Sequence, residues 1–253
     1  MSSLRFTDPK RVHHLLFGVY YQEDVFERFR GIAPVMRALG ARVLDPARRR
    51  NLIFLHVPRT GGTSISRALY GAHRIEHYSA RCLKAMAPEF WDTTQSFGVV
   101  RDPFDRFASS YAFVRGGGTQ SCQLSDVFRE QTAAIRSVDD YLSFLEERPP
   151  MQLDFVMRPQ AWFICDPDSG LPMTKRLFLY HRDQAALLAY LKPFGIDSLP
   201  WLNRSVRIPL DLSRRQKLRV EKIYATDFAL MDLLATHKAA DMPDLSVIGI
   251  AAE

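Results

Sequence analysis

An apolar run, Leu52-Ile53-Phe54-Leu55-His56-Val57, passes directly into Pro58-Arg59-Thr60-Gly61-Gly62-Thr63-Ser64 and then into Ile65, Ala68 and Leu69, spaced as on one helix face. A short apolar run without alternation predicts a strand buried on both faces, as in a parallel sheet covered by helices. Two more runs, Phe97-Gly98-Val99-Val100 and Arg176-Leu177-Phe178-Leu179-Tyr180, repeat the pattern, each followed by helical spacing. Strands alternating with helices predict an α/β fold, a three-layer domain with a mostly parallel sheet flanked by helices. Helix starts are legible too. Ser137-x-x-Asp140 opens a segment that Pro149-Pro150 closes. Ser213-x-x-Gln216 is a capping box ahead of one long helix reaching about Leu234, with Val220, Ile223, Tyr224, Phe228, Met231 and Leu234 along one face.

The first strand-to-helix join carries chemistry. Two adjacent glycines let the backbone turn tightly and aim several N–H groups at one point. The helix start is electropositive, Thr63 and Ser64 add hydroxyls, and Arg59 is a permanent cation. The set predicts a phosphate or sulfate site, against the plainer reading of a turn whose glycines serve geometry alone. It is not a Walker A loop: Thr63 stands where the lysine after the last glycine belongs, and no strand ends in an Asp to hold Mg²⁺. The second strand ends in Arg101-Asp102-Pro103-Phe104-Asp105-Arg106-Phe107-Ala108-Ser109-Ser110-Tyr111. Asp102 reads as an N-cap with Pro103 at the first helical position. Phe104, Phe107, Ala108 and Tyr111 share the expected core face, and Asp102, Asp105, Arg106 and Ser109 share another. Arg101 stands where α/β folds bind ligands, at the carboxyl end of a parallel strand. With Ser109, ~9 Å along the helix, it would grip one phosphate from two sides; an Arg–Asp bridge at the helix start is the alternative.

Charge points the same way without choosing the partner. Of 253 residues, 34 are Lys or Arg and 28 Asp or Glu, a net +6 that favours an anionic partner. Nucleic acid loses ground, because no basic stripe is interleaved with aromatics. Arg48-Arg49-Arg50 reads as a solvated turn. Cys82, Cys122 and Cys165 have neither metal-ligand spacing nor an even disulfide framework, which predicts reduced thiols, a cytoplasmic protein and no bound metal. The apolar stretch from Leu15 to Tyr21 is far short of the ~18 residues of a membrane span and lacks a signal-peptide cleavage site.

Read together, HVPRTGGTSI and VVRDPFDRFASSY resemble the sulfotransferases that use 3′-phosphoadenosine 5′-phosphosulfate (PAPS), in particular the Golgi-type carbohydrate sulfotransferases (sulfotransferase family 2-like) and their bacterial relatives. The resemblance runs from about Asn51 to Leu233. It includes the weaker signatures Glu76-His77-Tyr78-Ser79-Ala80, Arg158-Pro159-Gln160, Asn203-Arg204-Ser205 and Tyr224-x-x-Asp227-Phe228. It implies the P-loop-NTPase-like sulfotransferase fold over residues 51–253; residues 1–50 have no counterpart in it and are expected to form an N-terminal extension packed on that domain. It also implies a donor site in which Arg59, Thr60, Gly61, Gly62, Thr63 and Ser64 hold the 5′-phosphosulfate, and Arg101 and Ser109 the 3′-phosphate. The family usually has Lys at the place of Arg59, touching the bridging oxygen of the leaving group. Arg keeps the charge and the hydrogen bond but has no proton to give.

Sulfuryl transfer, like phosphoryl transfer, depends on positioning and charge stabilisation, with a base for the acceptor hydroxyl. His77 stands before the helix start at Ser79 and matches the position from which related carbohydrate sulfotransferases draw their base; Glu76 is the fallback. His56 reads as a satisfied core histidine, His181 has no loop signature, and His13, His14 and His237 lie outside the motifs. Arg115-Gly116-Gly117-Gly118-Thr119 reads as a mobile lid or a linker, Arg158 as a candidate sugar contact, and Trp162 equally as a sugar contact or a core residue. The expected partners are the nucleotide donor and a hydroxyl-bearing acceptor, a carbohydrate or glycolipid. Two other functions fit the motifs: an ATP-dependent small-molecule kinase with an atypical phosphate loop, and a non-catalytic adenine-nucleotide-binding module.

Overall fold

The computed structural model describes residues 8–72, 75–119, 122–200 and 210–235. Strands β1 (Leu52–Leu55), β2 (Gln95–Val100) and β3 (Arg176–Leu179) pair in parallel in the order β1-β2-β3. Leu52 lies opposite Gln95 and Leu55 opposite Gly98; Phe97 lies opposite Arg176 and Val100 opposite Leu179. All of β1 is buried and β2 is exposed only at Gln95, as a parallel sheet covered by helices requires. The predicted α/β architecture is therefore the observed one.

Among the described residues, four helices precede β1: α1 (Pro9–Phe17), α2 (Gln22–Arg28), α3 (Ala33–Val43) and α4 (Asp45–Arg50). Between β1 and β2 lie α5 (Gly62–Tyr70), α6 (Ala80–Met86) and α7 (Pro88–Thr93). Between β2 and β3 lie α8 (Pro103–Arg115), α9 (Asp126–Gln131), α10 (Val138–Glu146) and α11 (Ala161–Ile164). After β3 come α12 (Gln184–Leu191), α13 (Arg214–Ile223) and α14 (Ala225–Ala235). One core surrounds the sheet, with Phe54, Phe97 and Leu177 packed among Leu69, Leu83, Met36 and Leu44. A second joins α8, α10 and α13 through Phe107, Phe113, Tyr141, Leu145, Val220 and Tyr224.

The first helices are fastened to the rest by charge as well as by packing. The fully buried Arg158 donates to both carboxylate oxygens of Asp24, at 2.6 and 2.7 Å. Glu27, also buried, accepts from Ser79 at 2.5 Å and from Arg81. Tyr21 Oη donates to Asp154 at 2.5 Å.

Local signals and long-range packing part company in three places. Both capping boxes form, at Ser137–Asp140 and Ser213–Gln216. The single helix expected from Ser213 to Leu234, however, breaks at Tyr224. There Tyr224 Oη donates to Met157 O at 2.8 Å, and the buried Asp227 carboxylate accepts from Gln160 N and Ala161 N, each at 2.9 Å. A buried carboxylate needs donors, and the bend supplies them. The Arg48-Arg49-Arg50 triplet is exposed as expected, but it is the last turn of α4: Arg49 pairs with Asp45, Arg50 Nε donates to Leu69 O, and Arg48 lies over the Phe90 ring. On α8 the expected faces are mixed. Arg106 is fully buried and donates to Pro58 O at 3.1 Å and Arg158 O at 2.6 Å, while Phe104 and Ala108 line a cavity.

Candidate functional site

The turn after β1 is shaped by two aromatic rings. Arg59 (φ 70°) and Gly61 (φ 79°) both occupy the left-handed region, which costs a non-glycine residue about 1–2 kcal/mol. A Cβ on Gly61 would lie 2.4 Å from Tyr180 Cε2, and one on Gly62 2.2 Å from His56 Cδ2. The glycines thus serve close approach as well as turning. Thr60 is fully buried and its hydroxyl donates to Val57 O at 2.9 Å, so it braces the turn from inside.

Arg59, Gly61, Gly62, Thr63, Ser64, His77, Arg101 and Ser109 line one cavity of about 970 Å³. Of the residues expected to hold the donor, only Thr60 is not on its wall. The cavity lies where the two cores meet, with Ile65 and Leu187 from the sheet core and Phe113, Val156 and Leu212 from the other. This size suits a nucleotide-sized ligand.

The two expected phosphate sites are joined by a side chain. Arg59 crosses to Ser109, its Nε and Nη2 lying 3.1 and 2.9 Å from Ser109 Oγ, with its guanidinium 5.0 Å over the Phe113 ring. Burial, reinforced by the charge of Arg101, pulls Arg59 down to about 10, so it stays cationic at neutral pH. Arg101 is nearly buried, 3.7 Å from Asp105 and 5.7 Å from the centre of the Tyr180 ring. Its Nε is buried and has no hydrogen-bond partner among the described residues, which suits an anionic oxygen arriving from the cavity. Its backbone is clamped: Arg101 N donates to Gln160 Oε1 and Gln160 Nε2 donates to Arg101 O, both at 2.8 Å. Gln160 is held in turn by Asp227. The weaker motifs around Gln160 and Asp227 thus form a frame behind Arg101.

His77 Nδ1 lies 2.9 Å from the carbonyl oxygen of His56, and the two rings stand 4.4 Å apart. A carbonyl only accepts, so Nδ1 carries the proton and the basic lone pair falls on Nε2. Phe155 and Phe163 pack edge-on against the same ring. Glu76 is exposed and does not line the cavity. His56 is buried as expected, but it also forms part of the cavity wall.

Some site residues belong to no binding motif in the sequence. Tyr180 and His181 line the cavity, and His181 Nε2 lies 4.0 Å from Asp105. Their signal is positional: they follow β3 as Arg101 follows β2, at the carboxyl ends where parallel sheets bind ligands. Lys217 of α13 joins them. The segment 115–119 is built into a turn, with Gly118 bridged to Gln123 and Thr119 N donating to Cys122 O at 2.7 Å; Thr119 and Cys122 face the cavity. Arg158, expected to touch a sugar, and Trp162, read as a sugar contact or as core, do not line it. Arg158 is committed to Asp24, and Trp162 packs on the sheet core under Arg81. Asn203-Arg204-Ser205 and His237 lie outside the described residues. The three cysteines are free, and burial pushes the thiols of Cys82 and Cys165 up. Among the described residues there is no cluster of metal-ligating side chains, and no helix is long and apolar enough to cross a membrane.

No curated protein and no solved structure gave a significant match to the chain. The model of one family, described as the sulfotransferase family, matches residues 44–232. That span holds every cavity-lining residue named above, the Gln160 clamp and all three strands. By this match over most of its length, the chain belongs to the sulfotransferase family.

Proposed function

We propose that the protein transfers the sulfuryl group of PAPS to a hydroxyl of a carbohydrate or glycolipid acceptor. The observation that carries this reading is the arrival of two guanidinium groups, Arg59 from the end of β1 and Arg101 from the end of β2, in one cavity beside His77. A donor with phosphate at two separated positions needs two such cations, and the buried unpartnered Nε of Arg101 suits one of its oxygens. Thr63, Ser64 and the backbone at the start of α5 supply further donors for the phosphosulfate. No nucleic acid is part of this reading. The free cysteines suit a reducing, cytoplasmic setting.

In the reaction the acceptor oxygen attacks sulfur while His77 Nε2 takes the hydroxyl proton. The new O–S bond forms as the bond between sulfur and the bridging oxygen breaks. The electron pair leaves on the 5′-phosphate of 3′,5′-bisphosphoadenosine, and Arg59 neutralises the growing charge. The bond from His77 Nδ1 to His56 O holds the required tautomer throughout.

The test is transfer of labelled sulfuryl from PAPS to a panel of sugars and glycolipids. His77→Ala is expected to abolish transfer while 3′,5′-bisphosphoadenosine still raises the melting temperature without Mg²⁺. Unchanged turnover in His77→Ala would remove the base assignment. A requirement for Mg²⁺-ATP would replace the reading with a kinase, and donor binding with no transfer to any acceptor would leave a nucleotide-binding module.

A further inference from the structure

Helix α1 is inverted. A surface helix ordinarily buries its apolar stripe and shows its charges to water. Here the polar side faces the body: Arg11 Nη2 donates to Glu130 at 2.5 Å, Lys10 Nζ lies 5.0 Å over the Tyr21 ring, and His14 stacks on Tyr20 with centroids 4.4 Å apart. The apolar side, Val12, Leu15 and Leu16, faces out, with Leu15 73% and Leu16 66% exposed, and no residue of α1 is buried. The stripe continues across the next two helices. Phe17 meets Phe29 edge-on at 6.0 Å, and Ile32 and Val35 follow Phe29 at intervals of three residues, all exposed except Phe17, which is partly buried. Among the described residues, Leu218 is the one large exposed apolar side chain outside this face.

The helices that carry this stripe are cationic on their exposed sides. Arg28, Arg30, Arg37 and Arg42 are exposed, and no Asp or Glu occurs from Pro9 to Gln22 or from Arg28 to Val43. Of the acids in between, Asp24 and Glu27 are buried in pairs with Arg158 and Arg81, and Glu23 is partly buried. We propose that this face docks the protein peripherally on an anionic lipid surface, Leu15, Leu16, Phe29 and Ile32 entering the headgroup boundary and the arginines meeting lipid phosphates. An apolar patch rimmed by arginine is complementary to that surface on both counts. A second copy of the chain would bring the same cations against these. Nucleic acid would leave the aliphatic side chains without a partner.

The experiment is flotation of the purified full chain with vesicles of phosphatidylcholine alone or mixed with phosphatidylglycerol. Binding is expected only with the anionic vesicles and is expected to weaken as salt rises. Leu15→Glu/Leu16→Glu is expected to reduce binding at least tenfold, and Arg28→Glu/Arg37→Glu to reduce it about fivefold or more per charge, both with unchanged melting temperature. None of these residues lines the cavity, so donor-induced stabilisation stays as in the wild type. Three results would overturn the proposal: no binding to anionic vesicles, equal binding by the Leu15/Leu16 variant, or a wild-type dimer that this variant dissolves, which would make the face a subunit contact.

Discussion

Replacing Gln160 by Ala tests whether the frame behind Arg101 matters. Gln160 is fully buried and its amide satisfies both the N–H and the C=O of Arg101, each at 2.8 Å. Removing it leaves two backbone groups unpaired, at about 1–3 kcal/mol each, so roughly 2–4 kcal/mol once partial hydration is allowed. For a chain of this size that is a fall of about 5–15 °C in melting temperature. Under the proposed function the loss reaches donor binding, because Arg101 is then no longer held at the end of β2. The stabilisation given by 3′,5′-bisphosphoadenosine is expected to correspond to at least tenfold weaker binding, about 1.4 kcal/mol. Arg101→Ala separates the two effects: it is expected to abolish the ligand shift with little loss of stability. Gln160→Glu puts an acceptor against Arg101 O in place of a donor, so it is expected to destabilise at neutral pH and recover as the carboxylate protonates. The assay is thermal unfolding with and without the bisphosphate. A Gln160→Ala protein that melts like the wild type refutes the clamp; one that melts lower yet keeps the full ligand shift refutes its link to the donor site.

Gly62→Ala drives a Cβ to 2.2 Å from His56 Cδ2, so about 1–3 kcal/mol of stability should go, and kcat should fall more than donor affinity because His56 supports His77. A stable, fully active Gly62→Ala enzyme would contradict this. Burial, with the charges of Glu76 and Asp24, raises the Glu23 carboxyl from 4.5 to about 7. A raised acid loses stability as pH climbs through that window, so Glu23→Gln should match the wild type below about pH 4 and exceed it by roughly 2–3 kcal/mol above pH 7. Denaturant titrations showing a pH-independent difference would refute it. Arg59→Lys keeps the cation and should retain the bisphosphate shift within a few-fold, whereas Arg59→Ala should lose it; calorimetric titration distinguishes the two.

What the sequence revealed was local. The β1 run, the glycine pair and the caps at Asp102, Ser137 and Ser213 all act within a few residues of themselves, and each stands where the spacing put it. Arg158 reads as a sugar contact because nothing near it in the sequence announces its partner Asp24, 134 residues away, and only that contact makes burial of a guanidinium tolerable. Tyr224 gave no sign of a helix break, since the break answers to donors at Gln160 and Ala161. The reach of Arg59 to Ser109 depends on how α8 packs beside the first turn. His181 and Tyr180 lie in no motif, and only the parallel pairing of β3 with β2 brings them to the cavity.

The ion pairs of the first helices bear on where the protein can be cut. Sequence likeness starts at residue 44, and a chain trimmed there would keep every cavity residue named above. It would also strand Arg158 in the interior and deprive Arg81 of Glu27, because both counter-ions lie upstream of the cut. Removing one partner of a buried pair costs about 3–5 kcal/mol, a large share of the roughly 5–15 kcal/mol that holds a protein folded. The catalytic kinship and the electroneutral unit therefore have different borders. Expression of this enzyme in shortened form should begin ahead of Asp24.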